Sequence, residues 1–183
     1  MPPDRDFPQI VVVTGGMAAG KSTVAQALAE RLPKSVHLRG DIFRKMVVGG
    51  REEMSPDASP EALRQLELRY DLACHVASEY AAAGFHVVYQ DVILGEYLTR
   101  VVRRLKSHGP GVVVLDPSPA TLARRDAERA KTGYGAWTAE AMRDLLHAET
   151  PRIGFWIDSS GQAVGETVDA ILANPASLRQ LDL

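Results

Sequence analysis

Ile10-Val11-Val12-Val13 runs directly into Thr14-Gly15-Gly16-Met17-Ala18-Ala19-Gly20-Lys21-Ser22-Thr23, and this junction decides the fold. A continuous β-branched run is too short for a helix and too apolar for a strand with one wet face. It reads as a strand buried on both sides, as in the middle of a parallel sheet. Gly15 to Ser22 fits the pattern G-x-x-x-x-G-K-[ST] without a mismatch, directly after that strand and at the start of a helical pattern carrying Val24, Ala27, Leu28 and Leu32. Glycines at 15, 16 and 20 let backbone N–H groups turn inward and form an anion nest at a positive helix terminus. Lys21 adds a compact positive charge, and the Ser22 hydroxyl is placed to ligate magnesium. Gly15, Gly16, Met17, Ala18, Ala19, Gly20, Lys21, Ser22 and Thr23 are therefore the expected nucleotide-binding residues, for ATP with Mg2+, GTP remaining an alternative.

The strand–helix alternation continues outward from this point. Val36–Leu38, Phe85–Tyr89, Gly111–Leu115 and Phe155–Asp158 read as further strands. Helices are expected over about 42–48, from Pro60 (capped by Ser59) to about Ala83, 97–106, from Pro119, 139–147 and 165–172. The long helix after Ser59 is expected to turn Leu63, Leu66, Tyr70, Ala73, Ala77 and Tyr80 toward one stripe, with Cys74 and His75 as packing residues or bystanders. The pattern predicts an α/β doubly wound sheet of five parallel strands, with ligands gathered at the strands' carboxyl ends. We expect a polar, frayed leader over 1–9, one domain over 10–174 with a lid at about 124–138, and a tail over 175–183.

Composition narrows the functional class. The chain has 183 residues, 45% hydrophobic and 24% charged, so a disordered or fibrous chain is excluded. One cysteine builds neither a disulfide framework nor a Cys-based zinc site. A net charge of −2 gives no support for a generic nucleic-acid or membrane-surface protein. No run of about 18 apolar residues exists, and the first residues lack the order of a signal peptide, so a cytoplasmic protein is expected.

Acidic residues at strand ends divide the remaining chemistry. Asp91 ends an apolar strand, where a carboxylate can face the phosphates and hold magnesium, directly or through water. Asp41 opens a helix, and reads equally as an N-cap or as the base that takes the proton of an incoming hydroxyl. Asp116, before Pro117, reads as a turn or capping residue, and Asp158-Ser159-Ser160-Gly161 as a turn or part of a base site. Arg125 and Arg129 lie four apart on a helix leading into Thr132-Gly133-Tyr134-Gly135, a lid that would bring two guanidinium groups to a transferring phosphoryl group. The bland alternative is a solvated helix in which Arg124 pairs with Glu128. Arg44, one turn after Asp41, is either a contact for an anionic substrate or a surface residue. Met46, Met54 and Tyr70 mark the expected acceptor surface.

With these residues in place, the chain resembles the small P-loop kinases, and among them the chloramphenicol phosphotransferase-like group. Val12 to Ser22 looks like that group's loop. Arg39-Gly40-Asp41 stands where it places a catalytic aspartate, and Gln90-Asp91-Val92-Ile93-Leu94-Gly95 is similar to its acidic strand end. Gln90 departs from that pattern by replacing the first aspartate of an acidic pair. The Asp-x-x-Arg of Asp41 and Arg44 looks more like polynucleotide 5′-kinases. The resemblance implies transfer of the γ-phosphoryl of Mg-ATP to a hydroxyl of a small molecule, an antibiotic or a metabolite. Asp41, Lys21, Arg125 and Arg129 would be catalytic, Ser22 and Asp91 would manage the metal, and Asp41, Arg44 and Asp91 would meet the acceptor. Two alternatives stand beside it: a nucleoside, nucleotide or polynucleotide 5′-kinase, and a nucleotide-binding regulatory module without catalysis.

Overall fold

A computed structural model describes residues 6–127 and 137–182. Five parallel strands form one sheet in the order β2-β3-β1-β4-β5: β1 (Ile10–Gly15), β2 (Ser35–Arg39), β3 (His86–Gln90), β4 (Gly111–Leu115) and β5 (Phe155–Ile157). β1 is central because all six of its residues are buried, a burial that only neighbours on both edges and both faces provide. Its register sets Val13 beside Gln90 of β3 and Gly15 beside Leu115 of β4.

Alternate β1 side chains feed two cores. Val11 and Val13 pack with Val88, Val113 and Leu115 beneath α1 (Lys21–Arg31) and the late helix α7 (Val164–Leu172). Ile10 and Val12 pack with Val87, Tyr89, Val112 and Val114 beneath α3 (Pro60–Ala82), α4 (Glu96–Arg104) and α6 (Ala139–Glu149). α2 (Asp41–Met46) packs on α3, and α5 (Pro119–Ala127) on α6. Ser59 caps α3 by accepting from the Ala62 amide at 3.0 Å.

Three expectations change. The buried stripe of α3 runs through Ala62, Tyr70, Ala73, Cys74, Ala77 and Ala81, whereas Leu63 and Tyr80 are exposed. The wall above β3 is already filled by Tyr89 and Tyr70, so small residues rather than leucine let the helix approach. Burial pushes the Cys74 thiol up to about 12, so it is a packing group and not a nucleophile. The leader is not wholly frayed: Phe7 is buried, and Gln9 Nε2 donates to Ala81 O at 2.7 Å. The tail also docks. Pro175–Leu178 forms α8, Leu178 is fully buried, and the Gly154 amide donates to Gln180 O at 2.8 Å.

Leu178 closes the core from outside the 10–174 segment. Leu178→Ala should therefore destabilise the protein by about 2–5 kcal/mol, the usual result of emptying a leucine site. Chemical denaturation measures it, and a loss under about 0.5 kcal/mol, typical of exposed sites, would show the tail to be dispensable.

Candidate active site

Loop 15–22 follows from packing at the end of β1. A β-carbon on Gly15 would run into the Leu115 carbonyl of β4, and Gly15 itself has φ 142°, so only glycine fits. The turn closes at Gly20, φ 91°, the N-cap of α1, and Ala18 is the non-glycine residue held at positive φ, 57°. A strained loop between two regular elements is where backbone N–H groups are aimed rather than paired. Lys21 reaches back over this loop, its Nζ donating to Gly15 O at 3.0 Å and Gly16 O at 2.6 Å. Thr14 ties the strand end to the chain after β3: its hydroxyl donates to Ile93 O at 2.8 Å and accepts from Ile93 N at 2.9 Å.

On one side of the loop lies a cleft of about 370 Å3, lined by Ala18, Gly20, Thr23, Arg125, Ser159 and Gln162 among others. Arg125, expected on a lid, spans its mouth. Its Nη1 donates to Ala19 O and its Nη2 to Ser159 O, both at 3.2 Å. The Ser159 hydroxyl is buried without a hydrogen-bond partner among the described residues. Asp158 makes the expected turn, its carboxylate accepting from the Ser160 amide at 2.9 Å and from the Ser160 hydroxyl. Arg129 and most of the anticipated lid lie outside the described residues. Arg124 is exposed.

On the other side, Asp41 is the first residue of α2, and it is not a cap. The N-cap is Gly40, with helical φ and ψ of −62° and −30° and no side-chain cap bond. The Asp41 carboxylate accepts instead from Lys45 Nζ at 2.5 Å, and Arg39 Nε lies 3.7 Å from Oδ1. Oδ1 is buried and accepts no hydrogen bond among the described residues. Burial works to raise the Asp41 carboxyl, but the Lys45 hydrogen bond and the charges of Lys45, Arg39 and Arg69 outweigh it and hold it below the usual range. Asp41 is therefore an ionised acceptor whose Oδ1 is near the Arg39 charge but makes no hydrogen bond among the described residues.

The structure reassigns Asp91 and exposes a residue that sequence reading missed. Arg69 of α3 grips Asp91 bidentately: Nε donates to Oδ2 at 2.8 Å and Nη2 to Oδ1, which also accepts from Val92 N at 2.8 Å. The Asp91 side chain is 2% exposed and that of Arg69 13% exposed. In this arrangement both Asp91 oxygens are engaged and the side chain is buried, which speaks against direct ligation of magnesium; a contact through water is the other form of that expectation. A β-carbon on Gly40 would collide with Asp91 Oδ2, so the Asp91–Arg69 pair also dictates glycine next to Asp41. Arg69 escaped notice because a lone arginine in a helical pattern reads as solvent-facing; the burial of its neighbour Tyr70, whose hydroxyl donates to Val92 O at 2.7 Å, was the available signal. Tyr70 consequently lies beneath the expected acceptor surface, not on it, while Met46 is 68% exposed. Arg44 is half-buried and paired with Glu53, which also meets Arg51 at 3.3 Å.

Asp116 differs as well. Its carboxylate faces α6, with Arg143 Nε at 3.1 Å and His147 Nε2 at 2.8 Å, rather than closing a turn. Among the described residues no cluster of three His, Cys, Asp or Glu side chains could cage a metal ion. The exposed Ser22 hydroxyl at the start of α1 fits Mg2+, an ion that keeps its waters and takes phosphate oxygens as its other ligands.

The Asp91–Arg69 pair makes a specific prediction. Arg69→Met leaves a buried carboxylate without its counter-charge and should cost about 3–5 kcal/mol, whereas adding Asp91→Asn should recover most of that loss. Equal denaturation midpoints for the parent and Arg69→Met would mean the pair is not buried in solution.

No curated protein matches the sequence. Solved structures match over nearly its whole length at low identity. A tunicamycin resistance protein from Deinococcus radiodurans superposes with a TM-score of 0.64 at 20% identity, covering 92% of this chain and 95% of that one. A gluconokinase from Sinorhizobium meliloti gives 0.62 at 22% identity over 96% and 95%. An APS kinase from Mycobacterium tuberculosis, in complex with AMPPNP and APS, gives 0.66 at 19% identity over 91% and 96%. The fold is thus that of the small P-loop kinases. No helix among the described residues is long and apolar enough to cross a membrane. Residues 10–149, from the first residue of β1 to the last of α6, match the model of the AAA domain family, and the chain belongs to that family.

Proposed function

We propose that the protein is a Mg-ATP-dependent kinase that moves the γ-phosphoryl group to a hydroxyl of a small molecule. The observation that carries this reading is Asp41: a charged carboxylate at a strand's carboxyl end that does not cap its helix and whose Oδ1 accepts no hydrogen bond among the described residues. A regulatory nucleotide-binding module has no use for such a group, and a kinase needs one to orient and deprotonate its acceptor.

The roles follow from placement. The loop amides and Lys21 hold the phosphate chain, Lys21 exchanging loop carbonyls for phosphate oxygens. Ser22 is the protein's ligand for magnesium, which when bound would neutralise charge on the transferring group. The cleft beside Arg125 is sized for a purine nucleoside, and the unpaired Ser159 hydroxyl gives it a polar contact. Asp41 takes the acceptor's proton, while Asp91, through Arg69, fixes the corner from which Asp41 projects. The acceptor would meet Asp41 on the surface around α2, with Arg44 available to an anionic group if Glu53 releases it. This open-ended surface supports a small molecule as acceptor; an antibiotic and a metabolite fit it equally.

A screen of hydroxyl acceptors with γ-labelled ATP tests the reading; no transfer to any acceptor, with intact nucleotide binding, would favour the regulatory module. Lys21→Ala should abolish transfer and weaken Mg-AMPPNP binding. Asp41→Asn should keep nucleotide affinity and melting temperature yet lose transfer by roughly 10²–10⁴-fold, the usual contribution of a general base. Near-parental turnover of Asp41→Asn at saturating acceptor would remove Asp41 from the chemistry. Arg125→Ala, which unpins the mouth of the cleft, should raise the Kd for nucleotide as well as lower turnover, and calorimetry separates the two.

A further inference from the structure

Asp116, Arg143, His147 and Arg152 form a connected charged network that the roles above leave unused. Asp116 follows β4 directly, and its amide donates at 2.9 Å to the carbonyl of Ile157, the last residue of β5. Leu115, the residue before Asp116, is in register with Gly15, so Asp116 stands beside the start of the phosphate loop. α6 packs directly on that loop: a β-carbon on Gly16 would meet Arg143 N and Met142 Cβ, each at 3.7 Å.

The hydrogen bonds order the network. Arg152 Nη2 lies 3.0 Å from His147 Nδ1, and an arginine can only donate, so Nδ1 accepts. The His147 proton therefore sits on Nε2, which lies 2.9 and 2.8 Å from the two Asp116 oxygens. Arg152 is fixed in turn by stacking over Trp156, its Cζ 4.0 Å from the ring centre. Asp116 is thus held from one side by a neutral imidazole and holds Arg143 from the other, through Nε at 3.1 Å. The same Nε donates to Pro117 O at 3.3 Å. Only Nε is spent: the terminal nitrogens of Arg143 make no hydrogen bond among the described residues, and the side chain keeps 26% of its exposure. The charge is felt at the end of β5, where it helps hold the Asp158 carboxyl below its usual range, after the two Ser160 hydrogen bonds.

A guanidinium pinned by Nε at the edge of an anion-binding loop, with its fork unspent, is preorganised for phosphate oxygens. We infer that Arg143 is a further phosphate-binding residue of the nucleotide site, and that Asp116 and His147 are positioning residues that aim it. The inference rests on the nucleotide-binding reading above. It gives His147 a role without any proton transfer: to present an N–H to Asp116.

Calorimetric titration with Mg-AMPPNP and, separately, with adenosine tests it, alongside melting temperature for each variant. Arg143→Ala should weaken Mg-AMPPNP by about 10–100-fold, as loss of a charge-assisted contact does, and leave adenosine binding unchanged. Because Asp116 loses a partner in that variant, Arg143→Met with Asp116→Asn is the folding control and should show the same loss. His147→Leu should weaken Mg-AMPPNP by several-fold, roughly the effect of one lost neutral hydrogen bond, and His147→Gln, whose amide can donate to Asp116, should restore it. Parental Mg-AMPPNP affinity in both Arg143 variants overturns the inference, whatever happens to melting temperature. Equal affinities for His147→Leu and His147→Gln remove the positioning role of His147. Failure of the parent itself to bind Mg-AMPPNP overturns the nucleotide-binding reading, and this inference with it.

Discussion

The backbone approach between Gly15 and Leu115 is the constraint on which the rest of the molecule hangs. β1 is paired on both edges and covered on both faces, so its carboxyl end meets β4 with no room for a side chain. The chain must leave the sheet there through a glycine at positive φ, and it re-enters regular structure one tight loop later as α1. A row of unpaired amides at a helix start is the unavoidable by-product, and an anion is its natural complement. Everything else at this edge of the sheet, Asp41, Asp91, Asp116 and Arg125, is placed by strands whose order and register β1 sets.

The sheet and the phosphate loop were legible because each rests on a local signal: short apolar runs, β-branched above all in β1 and β4, and glycines at fixed spacing. The two flanks of the site were less so. Asp41 was visible as a candidate, but whether it capped α2 depended on the dihedral angles of Gly40, which no spacing encodes. Asp91 was read from its strand as facing the phosphates; the partner that takes both its oxygens, Arg69, lies 22 residues earlier on a helix. Pairings across such separations are products of packing and leave no periodic trace. The same holds for Asp116, whose neighbour Pro117 advertised a turn while α6, nearly thirty residues on, supplied Arg143 and His147. Leu178 was missed for a plainer reason: a four-residue helix carries too little pattern to be seen.

Buried charge is concentrated at the carboxyl ends of the strands. An ion pair as enclosed as Asp91 with Arg69 is seldom a net source of stability, because desolvating both groups offsets their attraction. Such a pair does impose geometry: it locks α3 to the end of β3 with two directed bonds, where apolar contact would tolerate sliding. Asp116 does the same for α6. α3 and α6 are thus each tied to the sheet by a carboxylate at its inner edge, and the apolar cores beneath are left to supply the stability.

The fit of Gly40 against Asp91 also bears on how this scaffold can diversify. The corner next to Asp41 is sterically closed, so substitutions at positions 40 and 91 are coupled. The segment from Val47 to Asp57 is held differently, by side-chain bonds such as Gln65 Nε2 to Gly50 O at 2.8 Å and the Glu53 pairs with Arg44 and Arg51. Those tethers can be exchanged singly without disturbing the sheet. That surface loop can therefore be rewritten piece by piece, while positions 40 and 91 can change only together.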